Sequence, residues 1–386
     1  MATVPVSRRR PLTSLRHDPS AIWHHIDGVM VACLLTVSSL GALMVYSATR
    51  GPEEPFNAEW VTRQGLFMVL GLLAAGVVAV VDYHKILDRA PIVYGGTAFL
   101  LLAVLLVGQS RSGTQGWFQL GQFQLQPSEF AKVALILGFT YVATQFHGDI
   151  DLRRLGVLLG VGALPIVLVL LQPDLGTALV SVAITFSLLV AAGVRGRYLV
   201  LMGLGAVLFA TLVLNSGMLE GYQRERLTVF TSQERPRSQE EARDAAWNLE
   251  QSKIAIGSGG VTGKGLFNGP QTRLGNVPEQ HTDFIFTAVG EELGLTGAAT
   301  LLGLYSVIVW RIWRTAKLAR DDAGTMICMG VLALFVFQIF QNVGMTMGIM
   351  PITGIPLPFM SYGGSSTIMA FIGMGLVLNV HMRRFR

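Results

Sequence analysis

One acidic residue stands where a polar loop gives way to an apolar run. Asp283 lies in the stretch PEQHTDFIFTAVGEELG, at residues 278–294, and is followed directly by Phe284, Ile285 and Phe286. A carboxylate in apolar surroundings loses hydration, which is costly unless a cation, a hydrogen-bond donor or a bound proton compensates. Asp283 is therefore our first candidate for a reactive group. The alternative is that it only complements the positive end of a helix dipole.

Three further ionisable residues lie in short motifs at the edges of apolar runs. In QPSEFAK, Glu129 and Lys132 are three residues apart and share one face of a helix that Pro127 can begin. Charges inside a membrane are costly and usually mark functional sites, although this pair could also serve helix packing alone. Asp174, in QPDLGT, is either a further site residue or the N-cap of the next helix.

The elements that must position these residues are membrane helices. Of the 386 residues, 51% are hydrophobic and only 14% are charged, and the mean hydropathy is +0.52. This composition excludes a soluble domain of ordinary type. We expect an all-α polytopic membrane protein with ten transmembrane helices, because ten apolar runs have about the 17 to 25 residues that a spanning helix needs. The runs are 27–48, 61–81, 91–108, 128–147, 155–171, 176–194, 198–215, 284–310, 325–349 and 363–380.

The positions of Lys and Arg predict the orientation of these helices. Basic residues cluster at both ends of the chain and in every second loop, so both termini are expected in the cytoplasm and the candidate residues at the outer face. The net charge of +5 follows from this topology and is only weak evidence for an anionic partner. The clusters are Arg8, Arg9, Arg10 and Arg16; Lys85 and Arg89; Arg153 and Arg154; Arg195 and Arg197; Arg311, Arg314, Lys317 and Arg320; and Arg383, Arg384 and Arg386.

The chain divides into a polar tail, 1–22, expected to be disordered in the cytoplasm, and one membrane domain, 23–386. Its large outer loop, 216–282, contains eight Lys or Arg residues; loops of this length escape the orientation rule. Within it, 239–256 has the periodicity of an interfacial amphipathic helix, with Ala245, Leu249 and Ile256 expected on the membrane side. The segment GSGGVTGKG, 257–265, lacks the spacing of a nucleotide phosphate loop, but it could form a turn near a lipid-linked phosphate.

The eighth apolar run is too long for a single straight span. Residues 284–310 would extend roughly 40 Å at about 1.5 Å per residue, against a hydrocarbon core of about 30 Å. We expect GEELG to interrupt the helix, so that 293–310 crosses the membrane and 283–290 lies at the outer interface. Glu291 and Glu292 would then turn into the protein, and Asp283 would lie near water and headgroups.

Two outer loops are predicted to lie at membrane depth. The loop at 108–127 has Trp117, Phe118 and Phe123, aromatic residues that suit the headgroup level. The loop at 348–366, GIMPITGIPLPFMSYGGSS, has three prolines and four glycines. Irregular backbone inside a membrane is tolerated only where it is buried or lines a cavity. We therefore expect this loop to line the cavity of Asp283, with Ser361 and Ser365 among the candidate substrate-binding residues.

Taken together, PEQHTDFIFTAVGEELG, QPSEFAK, QPDLGT and GIPLPFMSYGGSS, in this arrangement, resemble the SEDS family (shape, elongation, division and sporulation) of bacterial peptidoglycan glycosyltransferases. The resemblance covers residues 26–380. The last loop is closer to the RodA branch than to the FtsW branch, whose members more often carry threonine at the position of Pro356. One departure is Gly116, which precedes Trp117 where the family often has a basic residue; Arg111 could substitute for it.

The resemblance implies an enzyme that polymerises lipid II at the outer face of the bacterial plasma membrane, for cell elongation, with a class B penicillin-binding protein as partner. It implies that Asp283 is the catalytic residue and that Glu129, Lys132 and Asp174 surround the central cavity. We add Arg224 and Arg226 as candidate diphosphate ligands. His281 is also included because it is the one histidine beside the site, where it either contacts substrate or orients the loop.

The chemistry fits these residue types. A carboxylate can accept the proton of an attacking sugar hydroxyl, while cations stabilise the charge that develops on a departing diphosphate. A Mg²⁺ or Mn²⁺ ion bound by Asp283 is an open alternative, since sites of one or two carboxylates leave no sequence signature. The two cysteines, Cys33 and Cys328, lie inside apolar runs and indicate neither disulfide nor thiolate metal site.

Two other classes of function are compatible with the same residues. Intramembrane charges and ten spans also suit a lipid II flippase or an ion-coupled transporter, although the chain shows no matching pair of interrupted helices in two halves. A non-catalytic scaffold that activates a penicillin-binding protein would use Asp283 only structurally. The experiment that separates the three is a polymerisation assay with an Asp283 variant.

Overall fold

The computed structural model describes residues 25–51, 56–111, 114–121, 123–146, 148–215 and 240–385. Helices dominate these ranges, and the predicted disordered tail lies outside them. In chain order the helices are α1 (Gly28–Thr49), α2 (Glu59–Val80), α3 (Tyr83–Asp88), α4 (Ala90–Val107), α5 (Pro127–Thr144), α6 (Leu152–Leu170), α7 (Leu175–Ala191), α8 (Gly196–Asn215), α9 (Glu240–Gly259), α10 (Pro270–Leu274), α11 (Ile285–Lys317), α12 (Asp322–Thr346) and α13 (Gly364–Arg383).

Each of the ten predicted apolar runs coincides with a helix, which confirms the polytopic membrane fold. Seven helices of the described ranges are long and apolar enough to cross a membrane: α1, α2, α4, α6, α11, α12 and α13. Helix α7 is apolar but shorter. Hydropathy and length therefore establish a multi-pass protein, while the number of ten spans stays a prediction.

The loop after α4 contains a small sheet that the sequence analysis did not predict. Strands β1 (Gln109–Arg111), β2 (Thr114–Leu120) and β3 (Phe123–Leu125) pair in the order β1-β2-β3, and both pairs are antiparallel. The cross-strand partners Phe118 and Leu125 belong to a period-two alternation of apolar and polar residues, which is typical of strands. The sheet is small beside the helices, so the all-α membrane class is confirmed, and the last strand leads the chain directly into α5.

Helix α11 is broken where the sequence predicted an interruption. Gly294 has φ 65° and ψ −163°, a combination open almost only to glycine. The GSGGVTGKG segment pairs with this break through its backbone: Lys264 N–H donates to Glu291 O at 3.0 Å, and Leu295 N–H donates to Gly260 O at 3.0 Å. A Cβ on Gly263 would lie 2.1 Å from Glu292 O. The glycines therefore permit close backbone packing.

Both glutamates of the break turn into the protein, as predicted. Glu291 is fully buried and accepts hydrogen bonds from Thr272 N–H at 2.8 Å and Thr272 Oγ1 at 2.6 Å. Glu292, 1% exposed, accepts a hydrogen bond from Ser47 Oγ at 2.5 Å. Because Thr272 belongs to α10 and Ser47 to α1, the two carboxylates tie the start of α11 to both elements.

Helix α9 packs differently from the prediction. Leu249 was expected to face the membrane, but it is buried in a cluster with Val277, Phe284 and Ile352. Ile256 packs so closely on α11 that a Cβ on Gly290 would lie 2.9 Å from its Cγ1 atom. The side chain of Ala245 lies outside the described residues. Leu249 and Ile256 are therefore covered by protein, while Trp247 and Ile254 are exposed apolar residues of α9.

The last outer loop descends between the helices. Phe359 and Met360 are buried, and a Cβ on Gly41, within α1, would lie 2.5 Å from Phe359 O. Tyr305, within the spanning part of α11, donates a hydrogen bond from its hydroxyl to Pro358 O at 2.5 Å. Irregular backbone is therefore enclosed by α1 and α11, which is the condition under which a membrane tolerates it.

Candidate active site

Asp283 lies in the loop directly before α11. The N-cap of this helix is Phe284, and its first turn contains no acidic residue. Asp283 therefore precedes the helix and does not lie within its first turn. Asp283 is partly buried, and its Oδ1 atom accepts a hydrogen bond from Thr282 Oγ1 at 2.8 Å. The carboxylate is thus held at the edge of the protein core and keeps partial access to its surroundings.

A buried amide fixes the backbone of Asp283. Asn342 Nδ2, on α12, donates to Asp283 O at 2.7 Å and to Ile355 O at 2.8 Å. Asn342 is fully buried, and among the described residues its Oδ1 atom has no hydrogen-bond partner. The sequence analysis missed Asn342; its only signal was an amide inside an apolar helix.

The descending loop touches both candidate carboxylate segments. Gly354, at φ 67°, is so placed that a Cβ would lie 3.5 Å from Asp283 Oδ2. On its other side, a Cβ on Gly176, two residues after Asp174, would lie 2.6 Å from Thr353 O. The start of α7 and the Asp283 loop therefore meet at residues 353–354, whereas the sequence predicted only that this loop would lie beside Asp283.

Asp174 has the N-cap role that the sequence left open, while its role as a site residue stays a prediction. Its Oδ1 atom accepts a hydrogen bond from Thr177 N–H at 2.9 Å, so it is the N-cap of α7. Its Oδ2 atom accepts longer hydrogen bonds from Ser128 Oγ at 3.4 Å and from Gln126 Nε2 at 3.5 Å. Asp174 thereby joins α7 to the first turn of α5, next to Glu129.

Glu129 and Lys132 form a buried ion pair. Lys132 Nζ donates to Glu129 Oε1 at 2.6 Å, and the side chains are 3% and 5% exposed for Lys132 and Glu129 respectively. The two charges satisfy each other inside the bundle, as the spacing on one helical face predicted. A ligand that binds Lys132 must therefore compete with Glu129 for its ammonium group.

The predicted site residues His281, Ser361 and Ser365 contact the loop backbone. Tyr362 N–H donates to His281 O at 2.9 Å, and the His281 ring lies 4.7 Å from the Trp60 ring, between centroids. Ser361, 2% exposed, accepts a hydrogen bond from Leu357 N–H at 2.8 Å. Ser361 thus helps to hold the loop backbone in place, and its contact with a substrate stays a prediction.

Ser365 lies among the described residues, whereas the side chains of the candidate arginines do not. Ser365 Oγ accepts from Gln126 N–H at 3.1 Å, so it connects α13 to the residue that also contacts Asp174. Arg224 and Arg226 lie outside the described residues, and so does the side chain of Arg111. The proposed diphosphate contacts of these arginines stay predictions.

No metal site of several ligands occurs in the described ranges. There, no group of three or more His, Cys, Asp or Glu side chains is placed to hold an ion. The donors that would fit a divalent cation at Asp283 are oxygen atoms, namely its own carboxylate together with phosphate oxygens of a substrate. Metal binding therefore stays a prediction.

Two features near the site had no clear sequence signal. Lys253, on α9, lies so close to Gly348 that a Cβ there would be 2.9 Å from its Nζ atom; it places a cation at the outer end of α12. Trp60, at the start of α2, forms an edge-to-face contact with Tyr362 at 4.8 Å between centroids. Both residues extend the polar and aromatic surroundings of the Asp283 loop.

An apolar groove separate from this site opens on the membrane face between α11 and α12. Its volume is about 850 Å³. The lining residues are Leu302, Tyr305, Ser306, Val309, Trp310, Trp313, Leu332, Val336, Ile339, Phe340, Val343, Gly344, Met347 and Ile349. Apart from Ser306 and the polar tips of the aromatic residues, the lining offers only hydrocarbon, so an apolar occupant fits it.

Comparison with known proteins gives consistent matches over nearly the whole chain. The family model for FtsW, RodA and SpoVE, described as cell cycle protein, matches residues 27–385. The peptidoglycan glycosyltransferase MrdB of Escherichia coli is 35% identical over 371 residues, covering 93% of this chain and 94% of that protein.

Two solved structures are also similar to this chain. One, from work on how a peptidoglycan synthase complex coordinates polymerization and crosslinking, has a TM-score of 0.79 at 29% identity and covers 94% of this chain and 99% of its own. The Rod shape determining protein RodA of Thermus thermophilus has a TM-score of 0.69 at 29% identity and covers 95% and 100%.

Proposed function

The chain belongs to the FtsW, RodA and SpoVE family, and from that premise we propose that it is a peptidoglycan glycosyltransferase that polymerises lipid II during cell elongation. The observation that carries the proposal is the junction at Thr353 and Gly354, where Asp283 meets the start of α7. The relatives carry the name of this activity. The chain's own residues supply the carboxylates and the buried lysine that the reaction requires.

Asp283 is the general base of the proposed reaction. A sugar hydroxyl of the acceptor attacks the anomeric carbon of the donor, the new glycosidic C–O bond forms, and the bond to the undecaprenyl diphosphate breaks. The hydroxyl proton passes to Asp283, and the electron pair of the broken bond leaves on the diphosphate. Because that leaving group is already activated, no second carboxylic acid is required.

The diphosphate needs positive charge as it departs. Lys132 lies on α5 one turn after Ser128, which contacts Asp174, and the phosphate oxygens would displace Glu129 as its partner. Lys253 supplies a second ammonium group at the outer end of α12. Arg224 and Arg226 complete the set. A divalent cation held by Asp283 would share this task, and chelator sensitivity of the reaction tests for it.

The protein is a multi-pass membrane protein, and we place it in the bacterial plasma membrane with both termini in the cytoplasm. The placement rests on the cations of the loops, which follow the positive-inside pattern. With this orientation Asp283 faces the side of the membrane where cell wall is assembled. Cysteines introduced next to residue 283 should then react with impermeant reagents added outside the cell.

The partner is a class B penicillin-binding protein, whose transpeptidase activity complements the polymerase. One similar structure comes from a synthase complex that combines polymerization and crosslinking. The groove between α11 and α12 is the surface that we assign to the single membrane helix of this partner. The groove is lined mainly by apolar side chains. It also contains Ser306 and Gly344, small residues of the type that let membrane helices approach closely.

A reconstituted assay tests the activity. The purified chain with its partner receives lipid II in detergent, with and without chelator, and glycan polymer is measured. Asp283→Ala should reduce polymer by about 10²- to 10⁴-fold, the range for loss of a general base. Asp149→Ala is the matched control, because Asp149 is 84% exposed and its ion pair is with Arg195, between α7 and α8.

The outcomes separate the candidate functions. Undiminished polymer from a folded Asp283→Ala variant would exclude Asp283 as the base. Polymer made only by the partner would favour a scaffold. Lipid II that crosses a vesicle membrane without being polymerised would favour a flippase.

A further inference from the structure

A cluster of cations lies at the end of the bundle opposite Asp283. Arg311, Arg314 and Lys317 belong to the last two turns of α11, and Arg384 follows α13. Arg311 is paired: its Nε atom donates to Asp27 Oδ2 at 2.6 Å, and the Asp27 side chain is 1% exposed. This single carboxylate is therefore fully committed to Arg311 and to the start of α1.

Two other cations of the cluster, Arg314 and Lys317, are not paired with any carboxylate that the structure describes. Arginine elsewhere on this face is matched, as Arg195 is by Asp149 at 2.8 Å. A rule that only keeps cations on one side of the membrane does not explain why these are crowded together.

Arg384 shows the effect of this crowding. Burial, and after it the charge of Arg314, lower the pKa of Arg384. Its Nη1 atom lies 2.9 Å from Nε2 of His381, and its Nε atom is buried without a hydrogen-bond partner among the described residues. Buried donors are nearly always satisfied, by an ion or water where protein offers nothing. An acceptor with negative charge would satisfy this one.

Two tryptophans fix the depth of the cluster. The guanidinium carbons of Arg311 and Arg314 each lie 5.7 Å from the ring centroid of Trp310. Lys317 Nζ lies 3.8 Å from the ring centroid of Trp313. Trp310 is 50% exposed and Trp313 is 40% exposed. Tryptophan concentrates at the boundary between acyl chains and headgroups, so the cations lie at the level of lipid phosphates.

The same helical face presents both residue types. At 100° per residue, Trp313, Lys317, Trp310 and Arg314 follow one another within an arc of about 100° on α11. This arc faces away from the core, since all four residues are exposed. A headgroup lying against this arc would contact Arg314 and Lys317 together.

We propose that Arg314, Lys317 and Arg384 form a binding site for the phosphate of an anionic phospholipid in the leaflet at this end of the bundle. By the orientation given above, that leaflet is the cytoplasmic one. Basic pockets between membrane helices on this side suit anionic headgroups. The site is independent of the proposed lipid II site, which lies at the opposite end of the helix bundle. Its occupant stabilises the crowded end of α11 by supplying the missing negative charge.

The test is a lipid titration of the purified full-length chain by native mass spectrometry. Phosphatidylglycerol and phosphatidylcholine are compared at matched concentrations. We expect preferential retention of phosphatidylglycerol by the native chain. The double variant Arg314→Gln with Lys317→Gln should lose affinity for this lipid by roughly fivefold for each cation removed. Both residues are exposed, so the double variant should fold. Arg384→Gln should lose affinity in the same way.

The matched control removes two cations elsewhere at the same end. Lys85 and Arg89 are exposed, and Lys85→Gln with Arg89→Gln changes the net charge by the same amount. The proposal is overturned if this control loses as much phosphatidylglycerol as the Arg314 and Lys317 variant, or if neither variant loses any. Inorganic phosphate should not compete at concentrations where the lipid is retained; equal competition would assign the site to free phosphate and reject the lipid.

Discussion

Gly354 lies against the carboxylate of Asp283 and has a backbone conformation that other residues adopt only with strain. A Cβ there would sit 3.5 Å from Asp283 Oδ2, and the backbone φ of 67° is one that glycine adopts readily. Because Asn342 holds Asp283 O and Ile355 O together, the carboxylate and the glycine belong to one rigid junction. The position of the proposed base is thus set by a loop far away in sequence.

Replacing this glycine should damage activity more than stability. Gly354→Ala should cost roughly 1–2 kcal/mol of stability, the usual penalty for a left-handed conformation. Relaxation of the strained backbone should also shift the loop that lies against Asp283, and a shift of about 1 Å at a reacting group can reduce the rate by about 10²-fold. Polymerisation rate and thermal unfolding of the purified variant check both expectations.

Gly193→Ala is the control for backbone strain. Gly193 has φ 78°, and a Cβ there would meet nothing within 4 Å. It should lose similar stability and keep full activity. Equal loss of activity in both variants would show that strain alone, and not the contact with Asp283, is responsible.

For the buried ion pair of α5, stability and activity are expected to respond differently to substitution. Lys132→Met leaves Glu129 buried without a partner, which should destabilise the protein by roughly 3–5 kcal/mol. Exchanging the two residues, Glu129→Lys with Lys132→Glu, retains a buried pair and should retain most of the stability. If Lys132 binds diphosphate, the exchanged variant should still make no polymer. An exchanged variant with normal activity would mean that the pair serves packing only.

The groove between α11 and α12 predicts where the partner binds. Ser306→Trp would fill the groove beside Tyr305 and should reduce co-purification of the penicillin-binding protein by tenfold or more, on the order of 1.4 kcal/mol. Leu106→Trp, at an 84% exposed lipid-facing position on α4, adds the same bulk elsewhere. Equal effects of the two substitutions would argue against the groove as the docking surface.

A histidine on the side of the bundle opposite Asp283 predicts a pH dependence of stability. His84 lies 3.0 Å from Asp82 and 2.8 Å from Asp321, so it connects α3 to the start of α12. Desolvation opposes its protonation, but the hydrogen bonds to the two carboxylates outweigh it and raise the pKa of His84. Protonated His84 therefore stabilises the fold.

The sign of the effect follows from linkage. The contribution of His84 is complete below the pKa of an unfolded histidine, about 6.5, and is lost as pH rises through the raised pKa of the folded state. Unfolding temperature should therefore fall over that window in the native chain and less so in His84→Gln. Because His84 is half exposed, the change should be small, and identical pH profiles would contradict the prediction.

The chain's regular elements follow from its sequence because they depend on local properties. Apolar runs of the right length form α1, α12 and the other long helices. The eighth run is longer than the hydrocarbon core allows for one span, and it breaks at Gly294, the last residue of GEELG. The period-two alternation around Phe118 is equally local. It did not lead to a predicted strand because the aromatic residues of this loop were interpreted as headgroup-level residues.

The sequence by itself determined that this is a polytopic membrane protein, that Glu129 and Lys132 share a helical face, and that Asp283 follows a polar loop. Only the tertiary structure decided that Gly354 and Gly176 join Asp283 to the start of α7, that Leu249 packs on protein, and that Ser361 binds the loop backbone at Leu357. The physical reason is that these contacts join residues far apart in the chain. Hydrophobic pattern and spacing report what a residue's own helix requires, whereas a close approach of two backbones depends on how several helices pack at once.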